Sequence, residues 1–334
     1  MGIKIAINGM GRIGRCFLRA LQGRNTDLEV VALNGTTESE TLAYLLAHDS
    51  VFGGFPVTVE SDDSSVKVDG KSIPVFREMQ PSKLPWKEFD VDIVIEATGA
   101  FTDAVRARQH IDAGAKRVLI TGPAKNEDLT VVYGVNGDKI SSKHQIFSNA
   151  SCTTNCLAPM AKVLHESFGI EDGFMTTIHA YTQDQRLHDA DHRDLRRARA
   201  AGLNLVPTTT GAAKAMELVI PDLKGKLDGY SMRVPVPVGS ATDFTARLKS
   251  QVTVEEVNKA MKNAAESSLL GVLDYSEEEI VSSDIVGRSA SCVFDSKQTR
   301  VINDQTVKIL GWYDNEYGFS SRLIDTAELI GKSL

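Results

Sequence analysis

Apolar and polar positions follow two different textures along the chain. Up to about residue 150, short apolar runs stand between amphipathic ones, and IKIAIN (3–8), LEVVAL (28–33), DIVIEATG (92–99) and RVLITG (117–122) read as buried strands. Between them, Arg12 to Leu21, Ser39 to Ala47 and TDAVRARQHIDAG (102–114) carry helical spacing. Apolar strands separated by helices predict parallel βαβ units. Beyond residue 150 a helix is expected from Cys152, then a strand over GFMTTIHAYT (173–182), an irregular Arg-rich stretch to about Val206 and a helix from Ala212. Runs such as YSMRVPVPVGSATDFTARLKS (230–250) alternate polar and apolar residues more, as antiparallel strands with one covered face do. TVEEVNKAMKNAAES opens with a capping box, Thr253 with Glu256 three residues on, and predicts a helix. After GWYDNEYGFS, Phe319, Leu323, Ala327, Ile330 and Leu334 recur at helical spacing, so a final helix is expected to return to the first domain.

A chain of 334 residues accommodates two domains of ordinary size, and 42% hydrophobic with 24% charged residues is a globular composition. The net charge of −7 speaks against a protein-wide attraction to nucleic acid or to an anionic membrane. No stretch approaches the about 18 apolar residues of a membrane span, and the start MGIKIAINGMG lacks the layout of a signal peptide, so a cytoplasmic protein is expected. Ala6 stands where a myristoylation signal wants Ser or Thr. The cysteines, Cys16, Cys152, Cys156 and Cys292, are too sparse for a disulfide framework. No second Cys or His pair has the spacing to complete a zinc site with Cys152 and Cys156, so no metal is expected.

NGMGRIG places Gly9, Gly11 and Gly14 in G-x-G-x-x-G order between a strand and a helix. In that context the first glycine makes a tight turn, the second lets the backbone approach a pyrophosphate, and the third lets the helix pack on the strand. The first domain therefore reads as dinucleotide-binding. The acid that holds the adenosine ribose, about 20 residues further on, would fall within VVALNGTTESET (30–41), at positions 34–35. Asn34 and Gly35 stand there, followed by Thr36 and Thr37. With no carboxylate to repel a 2′-phosphate and two hydroxyls beside it, NADP is admitted as well as NAD, although Asn-Gly is also an ordinary turn.

SNASCTTNC puts Cys152 where a strand meets a helix N-terminus, flanked by Ser151, Thr153 and Thr154. The helix dipole and unpaired N–H groups there are expected to stabilise a thiolate, the reactive form, and to help Cys156, one turn further in, less. His179, in TTIHAYT, ends an apolar strand 27 residues after Cys152 and is the candidate base of a Cys–His couple. HRDLRRARAA (192–201) carries Arg193, Arg196, Arg197 and Arg199, and PTTTG (207–211) sets hydroxyls and a glycine before a helix. Arginine forks, threonine hydroxyls and a helix N-terminus together suit phosphate. A run of arginines also suits a solvated face or a subunit contact, and the interleaved aromatics of nucleic-acid binding are absent.

With INGMGRIGR, SNASCTTNCLAP, TTIHAYT, DLRRARAA, PTTTGAAKA, RVPVPVGS and WYDNEYGFSSR in this order, the chain resembles the phosphorylating glyceraldehyde-3-phosphate dehydrogenases from end to end. SCTTNC with HAYT downstream is the most specific part. The resemblance implies an α/β fold: a doubly wound Rossmann domain (1–151 with a C-terminal helix, 315–334) and an α+β catalytic domain on a mostly antiparallel sheet (152–314). It implies that Cys152 attacks the aldehyde of glyceraldehyde 3-phosphate with His179 as base, and that the hemithioacetal yields hydride to the nicotinamide. Inorganic phosphate then cleaves the thioester to 1,3-bisphosphoglycerate, in the glycolytic or the gluconeogenic direction. By the same resemblance Thr182 and Arg233 hold the substrate's phosphate, Ser151, Thr153, Thr210 and Gly211 the attacking phosphate, and Arg197 bridges the two. For NAD or NADP the resemblance carries over Arg12 and Ile13 at the pyrophosphate turn and Asn34 and Arg77 near the adenosine, to which the reading of the residues themselves adds Gly9, Gly11, Gly14, Gly35 and Thr36. Thr98, Gly99 and Thr121 follow along the cleft, and Asn315 at the carboxamide. A homotetramer is implied, with 181–206 forming a loop beside a neighbour's cofactor.

The chain departs from the family pattern at several positions. NAD-dependent members have an acid where Gly35 stands and Leu-Pro where Ala190 and Asp191 stand; losing both resembles NADP-accepting members, whereas the charge of Asp191 argues the other way. Gln183, Tyr317 and Phe319 replace the family's usual Asn, Trp and Tyr around the nicotinamide and the final turn. Two other functions stay open. Erythrose-4-phosphate dehydrogenases use water as acyl acceptor and tend to lose the TTTG cradle that is intact here. A non-catalytic NAD(P)-binding redox sensor would use Cys152 as an oxidisable thiol and has no use for two anion sites.

Overall fold

The computed structural model describes residues 2–334, which divide into two compact units. One comprises the chain up to Val131, Gly137–Ala150 and Ser320–Leu334; the other comprises Val132–Asn136 and Ser151–Phe319. The sequence-based bounds put 132–136 and 315–319 with the first domain. Both segments are instead tied into the second unit: Lys162 Nζ donates to the Gly134 carbonyl at 3.2 Å, and Asn315 is bonded to Ser240 at 3.0 Å.

The first unit opens with β1 (Ile3–Asn8), α1 (Arg12–Leu21), β2 (Leu28–Asn34) and α2 (Ser39–Ala47). A small two-stranded turn, β3 (His48–Asp49) with β4 (Gly53–Gly54), leads to β5 (Val59–Ser61), β6 (Ser65–Val68) and β7 (Lys71–Phe76). Then come β8 (Ile93–Glu96), the single-turn helices α3 (Ala104–Ala107) and α4 (Gln109–Asp112), β9 (Arg117–Ile120), β10 (Leu129–Thr130) and β11 (Ile146–Ser148). Nine strands form one sheet in the order β10-β11-β9-β8-β1-β2-β7-β6-β5, parallel from β10 to β7. From β1 the chain steps outward through β2 and β7 on one side and returns through β8 and β9 on the other. The reversal between β1 and β8 is the switch point of a doubly wound sheet, at whose carboxyl edge ligands bind.

One element of this unit was not expected from the sequence, and one expected helix differs. Residues 59–76 form an antiparallel meander that apolar periodicity missed, because its strands are short and partly polar. A turn signal was present: Asp69 (φ 51°) and Gly70 (φ 75°) both take the left-handed conformation that a two-residue hairpin requires. The single helix expected over 102–114 is two turns joined at Arg108, whose αR dihedrals keep the chain helical, with Asp103 capping the first through the Val105 N–H at 3.0 Å.

The second unit contains α5 (Cys152–Phe168), β12 (Ile170–Ala180), β13 (Val206–Thr208), α6 (Ala212–Val219), β14 (Leu227–Val234), β15 (Ser240–Leu248) and α7 (Val254–Ala265). After them come β16 (Leu273–Ser276), β17 (Cys292–Asp295), β18 (Arg300–Ile302) and β19 (Thr306–Tyr313). Its eight strands run β13-β14-β12-β15-β19-β17-β16 with β18 on β19, mostly antiparallel; β12–β14 and β16–β17 are the parallel pairs. α5 is apolar nearly all round and is buried from Thr153 through Ala161, so it acts as the core of this unit rather than as a surface helix. The last helix, α8 (Tyr317–Gly331), belongs to the first unit from Ser320 onward, where Leu323, Ile324, Ala327 and Ile330 are fully buried and Arg24 pairs with Asp325 at 2.8 Å. No helix among the described residues is long and apolar enough to cross a membrane.

Candidate active site

Ala150, just ahead of Cys152, has φ 55°, a strained conformation for a non-glycine residue. It turns the chain sharply from β11 into α5. Ser151 caps α5 by accepting the Thr154 N–H at 2.9 Å, which leaves Cys152 as the first helical residue. His179 stands near the end of β12, in register with Arg233 on β14. The two side chains meet, with Cys152 Sγ 3.3 Å from His179 Nε2. His179 Nδ1 lies 2.7 Å from the Ala180 carbonyl, an acceptor only, so Nδ1 carries the proton and Nε2 offers its lone pair to the thiol.

Burial opposes the thiolate that the helix N-terminus is expected to favour. Burial pushes the Cys152 thiol up to about 11, against the pull of the Arg233 guanidinium and the Thr153 N–H. Burial likewise pushes His179 down to about 3, helped by the positive charge of Arg233. Desolvation penalises both charged forms more than one helix N-terminus can offset. Burial thus works against either charged form taken alone, while the 3.3 Å contact lets the thiol proton pass to Nε2.

Arg233 Nη1 donates to Thr182 Oγ1 at 2.6 Å, and Thr182 in turn donates to Asp184. Arg197 is ion-paired to the same carboxylate, donates from Nε to Thr208 Oγ1 at 2.9 Å and reaches the Thr209 carbonyl at 3.3 Å. Thr182, Arg233 and Arg197 are thus gathered around one carboxylate. The four residues carried over for the attacking phosphate are not gathered in the same way. Thr153 Oγ1 is bonded to the buried Tyr313 hydroxyl at 2.9 Å, and Ser151 Oγ is engaged in the helix cap. Thr210 receives the Ala212 N–H at 3.2 Å and, with Gly211, Thr208, Arg196 and Lys214, lines an open pocket of about 760 Å³ that neither Cys152 nor His179 reaches.

Three contributors were not anticipated from the sequence. Asp184 follows Thr182 by two residues, and an acid beside one candidate phosphate ligand was the available signal. Tyr313 holds Thr153 and Thr177 and sets its ring edge against His179, at 5.9 Å between centroids. Ser240 receives the Ala180 N–H at 3.1 Å and donates to Asn315 Oδ1 at 3.0 Å, so it couples the strand end beside His179 to the residue carried over for the carboxamide. Neither Tyr313 nor Ser240 lies near these partners in sequence.

In the first unit the residues present suit a dinucleotide. A Cβ on Gly14 would lie 2.1 Å from the Gly9 carbonyl oxygen, and one on Gly9 2.5 Å from the Thr98 nitrogen, so the turn closes only with glycine. Gly11 caps α1 without a side chain, and a Cβ there would meet nothing within 4 Å. That open cradle at a helix N-terminus matches a pyrophosphate. Arg12 beside it donates to Asp49 at 2.5 Å, and Ile13 follows it in the first turn of α1. Thr121 and Gly99 border the same strand ends, Thr121 through its N–H to the Glu96 carbonyl at 3.0 Å, Gly99 with φ 72°.

At the end carried over for the adenosine, Asn34 and Arg77 each hold protein partners. The Asn34 carboxamide is buried and fully engaged: Nδ2 donates to Asn8 Oδ1 at 2.6 Å and the Glu78 carbonyl at 2.9 Å, and Oδ1 accepts the Glu78 N–H at 3.0 Å. These bonds tie together the ends of β1 and β2 and the Glu78 backbone. Arg77 is ion-paired to Glu38, at the start of α2 beside Gly35, Thr36 and Thr37. The nearest carboxylate in sequence to Gly35, Thr36 and Thr37 is that of Glu38.

The family model described as "Glyceraldehyde 3-phosphate dehydrogenase, NAD binding domain" matches residues 3–104, and that described as "Glyceraldehyde 3-phosphate dehydrogenase, C-terminal domain" matches residues 151–315. The chain is 56% identical over 335 residues to glyceraldehyde-3-phosphate dehydrogenase 2 of Streptomyces avermitilis, covering all of both chains. It is 56% identical over 336 residues to the glyceraldehyde-3-phosphate dehydrogenase of Streptomyces coelicolor and 55% over 341 residues to that of Mycolicibacterium smegmatis, again across the full length of each. With both halves matched and identity sustained from end to end, the chain belongs to the glyceraldehyde-3-phosphate dehydrogenase family.

Proposed function

We propose that Cys152 is the nucleophile and His179 the base in the oxidative phosphorylation of glyceraldehyde 3-phosphate, with NAD or NADP as hydride acceptor. The observation that carries this reading is the 3.3 Å approach of Sγ to Nε2, with Nδ1 tied to Ala180. The thiol proton passes to Nε2 as sulfur bonds to the aldehyde carbon, and the imidazolium returns it to the carbonyl oxygen, leaving a hemithioacetal. Nε2 then takes the hydroxyl proton as hydride leaves the carbon and the thioester forms. The dinucleotide, when bound, accepts that hydride. An oxygen of inorganic phosphate attacks the thioester carbon, the C–S bond breaks, and His179 reprotonates the departing Cys152.

Thr182, Arg233 and Arg197 are our candidates for the substrate phosphate, since guanidinium forks and a hydroxyl suit its oxygens. Ser151, Thr153, Thr210 and Gly211 remain the candidates for inorganic phosphate; a hydroxyl such as that of Ser151 or Thr153 can accept from its present partner and still donate to a phosphate oxygen. Steady-state turnover is measured with and without inorganic phosphate. A near-complete stop in its absence is expected, and full turnover without it would favour hydrolysis of the thioester by water.

For the cofactor, the absence of a carboxylate at Gly35 supports use of NADP alongside NAD, and Glu38 supports retention of NAD. A homotetramer in the cytoplasm is our reading of the remaining surface. Leu187, Leu195 and Leu203 are 84, 80 and 81% exposed within the segment 181–206, an apolar display that subunit contact would cover. Sedimentation equilibrium tests it, and a monomer at micromolar concentration would overturn it.

A further inference from the structure

Beneath the glycine turn of the first unit lies a buried polar cluster that the reaction does not use. Glu96, the last residue of β8, is 1% exposed and has no lysine or arginine among its partners. Its Oε2 accepts from Asn8 Nδ2 at 2.5 Å and His110 Nε2 at 3.0 Å; its Oε1 accepts the Thr98 N–H at 2.8 Å and the Thr98 hydroxyl. Behind it Trp86 Nε1 donates to His110 Nδ1 at 2.9 Å. An indole nitrogen can only donate, so His110 Nδ1 must accept and the single ring proton sits on Nε2, aimed at Glu96. A second proton on His110 would face the indole N–H. The ring meets Asn8 from β1, Glu96 from β8, and Trp86 and Phe101 from the loops; Glu96 is the one charged group among these four.

The cluster extends to every strand end that borders the glycine turn. Asn8 hands the chain of bonds to Asn34 at the end of β2 and thence to Glu78. Thr98 passes it to the Ala100 N–H at 3.0 Å, and its backbone nitrogen is what Gly9 packs against. A carboxyl group buried without a cation is costly, and a well-packed apolar side chain would hold β1 against β8 more cheaply. What an apolar side chain could not do is orient Thr98 and Asn8 together.

We propose that Glu96 is a positioning residue for the dinucleotide, and that His110, held in one neutral tautomer by Trp86, is the donor that keeps its carboxylate in place. The inference rests on the reading that the first unit binds NAD(P), and wild-type binding tests that reading separately. Glu96→Gln replaces one acceptor oxygen with an NH2 group that must face a donor. The dissociation constant for NAD+ or NADP+ should rise about tenfold or more, and the KM for the dinucleotide should rise more than kcat falls. The rate of Cys152 alkylation by iodoacetamide in the absence of dinucleotide, which reports the second unit, should stay as in the wild type. Unchanged affinity in a folded Glu96→Gln protein overturns the proposal, as does a loss confined to kcat.

Trp86→Phe supplies an independent reading should Glu96→Gln fail to fold. With the indole donor gone, His110 is no longer held in the tautomer that donates to Glu96, so the dissociation constant for NAD+ or NADP+ should rise about threefold or more. Unchanged dinucleotide affinity in a folded Trp86→Phe protein would equally overturn the proposal.

Discussion

Asp184 is ion-paired to Arg197, and the same carboxylate receives the Thr182 hydroxyl and lies 4.0 Å from Arg233. Three side chains suited to a substrate phosphate are thus drawn together by an internal anion. Burial works to raise the Asp184 carboxyl, but the Thr182 hydroxyl, Arg233 and Arg197 hold it below the usual carboxylate range. A phosphate entering this group has to displace it. Asp184→Asn should therefore tighten binding of a dianion such as sulfate by a few fold to about tenfold, since a charge near two guanidiniums is worth about 1 kcal/mol at a partly exposed site. Sulfate inhibition constants for the two proteins check this; weaker inhibition of the variant would show that Asp184 chiefly positions the arginines.

Cys152→Ser should abolish dehydrogenase activity with dinucleotide affinity nearly intact, because a hydroxyl cannot be activated by an imidazole whose own basicity burial has lowered. His179→Asn should reduce kcat by about 10²- to 10⁴-fold. Alkylation of Cys152 at neutral pH should slow in parallel, as the thiol loses its acceptor. A His179→Asn protein with wild-type alkylation and turnover would remove the assignment of the base.

Gly35→Asp is sterically permitted, because a Cβ there would sit 3.5 Å from Met10 in ordinary contact. The new carboxylate would repel a 2′-phosphate, so kcat/KM with NADP should fall at least about tenfold while that with NAD changes little. Glu38→Gln should act in the opposite sense, since it removes a negative charge and releases Arg77 from its ion pair. Steady-state kinetics with both dinucleotides decide the matter, and indifference of NADP use to both changes would dismiss this corner as the selector.

Asp314 predicts a pH dependence of stability. Burial raises its carboxyl from 3.8 to about 6, only partly offset by the N–H groups of Gly287, Glu316 and Tyr317. A carboxyl whose folded value is raised favours the folded state while protonated. Its contribution is full below about pH 4 and is lost as pH rises through about 6. At about 1.4 kcal/mol per pH unit, the loss by neutral pH is about 3 kcal/mol. Asn carries no such proton, so the melting temperature of Asp314→Asn relative to the wild type should climb between pH 4 and 7. A difference constant across that range would contradict the argument.

Local rules made much of the first unit legible. The limits of α1 and α2 followed from apolar spacing, and the capping box at Thr253 marked the start of α7 one residue on. The glycine turn could be read because steric demand is carried by three residues close in sequence. The meander at 59–76 was missed because its strands are held by cross-strand pairing, which periodicity within one short segment does not reveal.

By itself the sequence determined the order of elements, the family and the identity of the Cys–His couple, because each is written in contiguous residues whose spacing or motif is local information. The tertiary structure alone decided which partner each site residue holds. Asn34 turns inward, Arg77 faces Glu38, Thr153 answers to Tyr313, and Asp184 sits where anions are expected. It also set the desolvation that raises the Cys152 thiol and lowers the His179 imidazole, since that depends on how distant segments pack around them. Hydrogen-bond choice and dielectric surroundings are properties of packed neighbours from across the chain, and no local pattern encodes them.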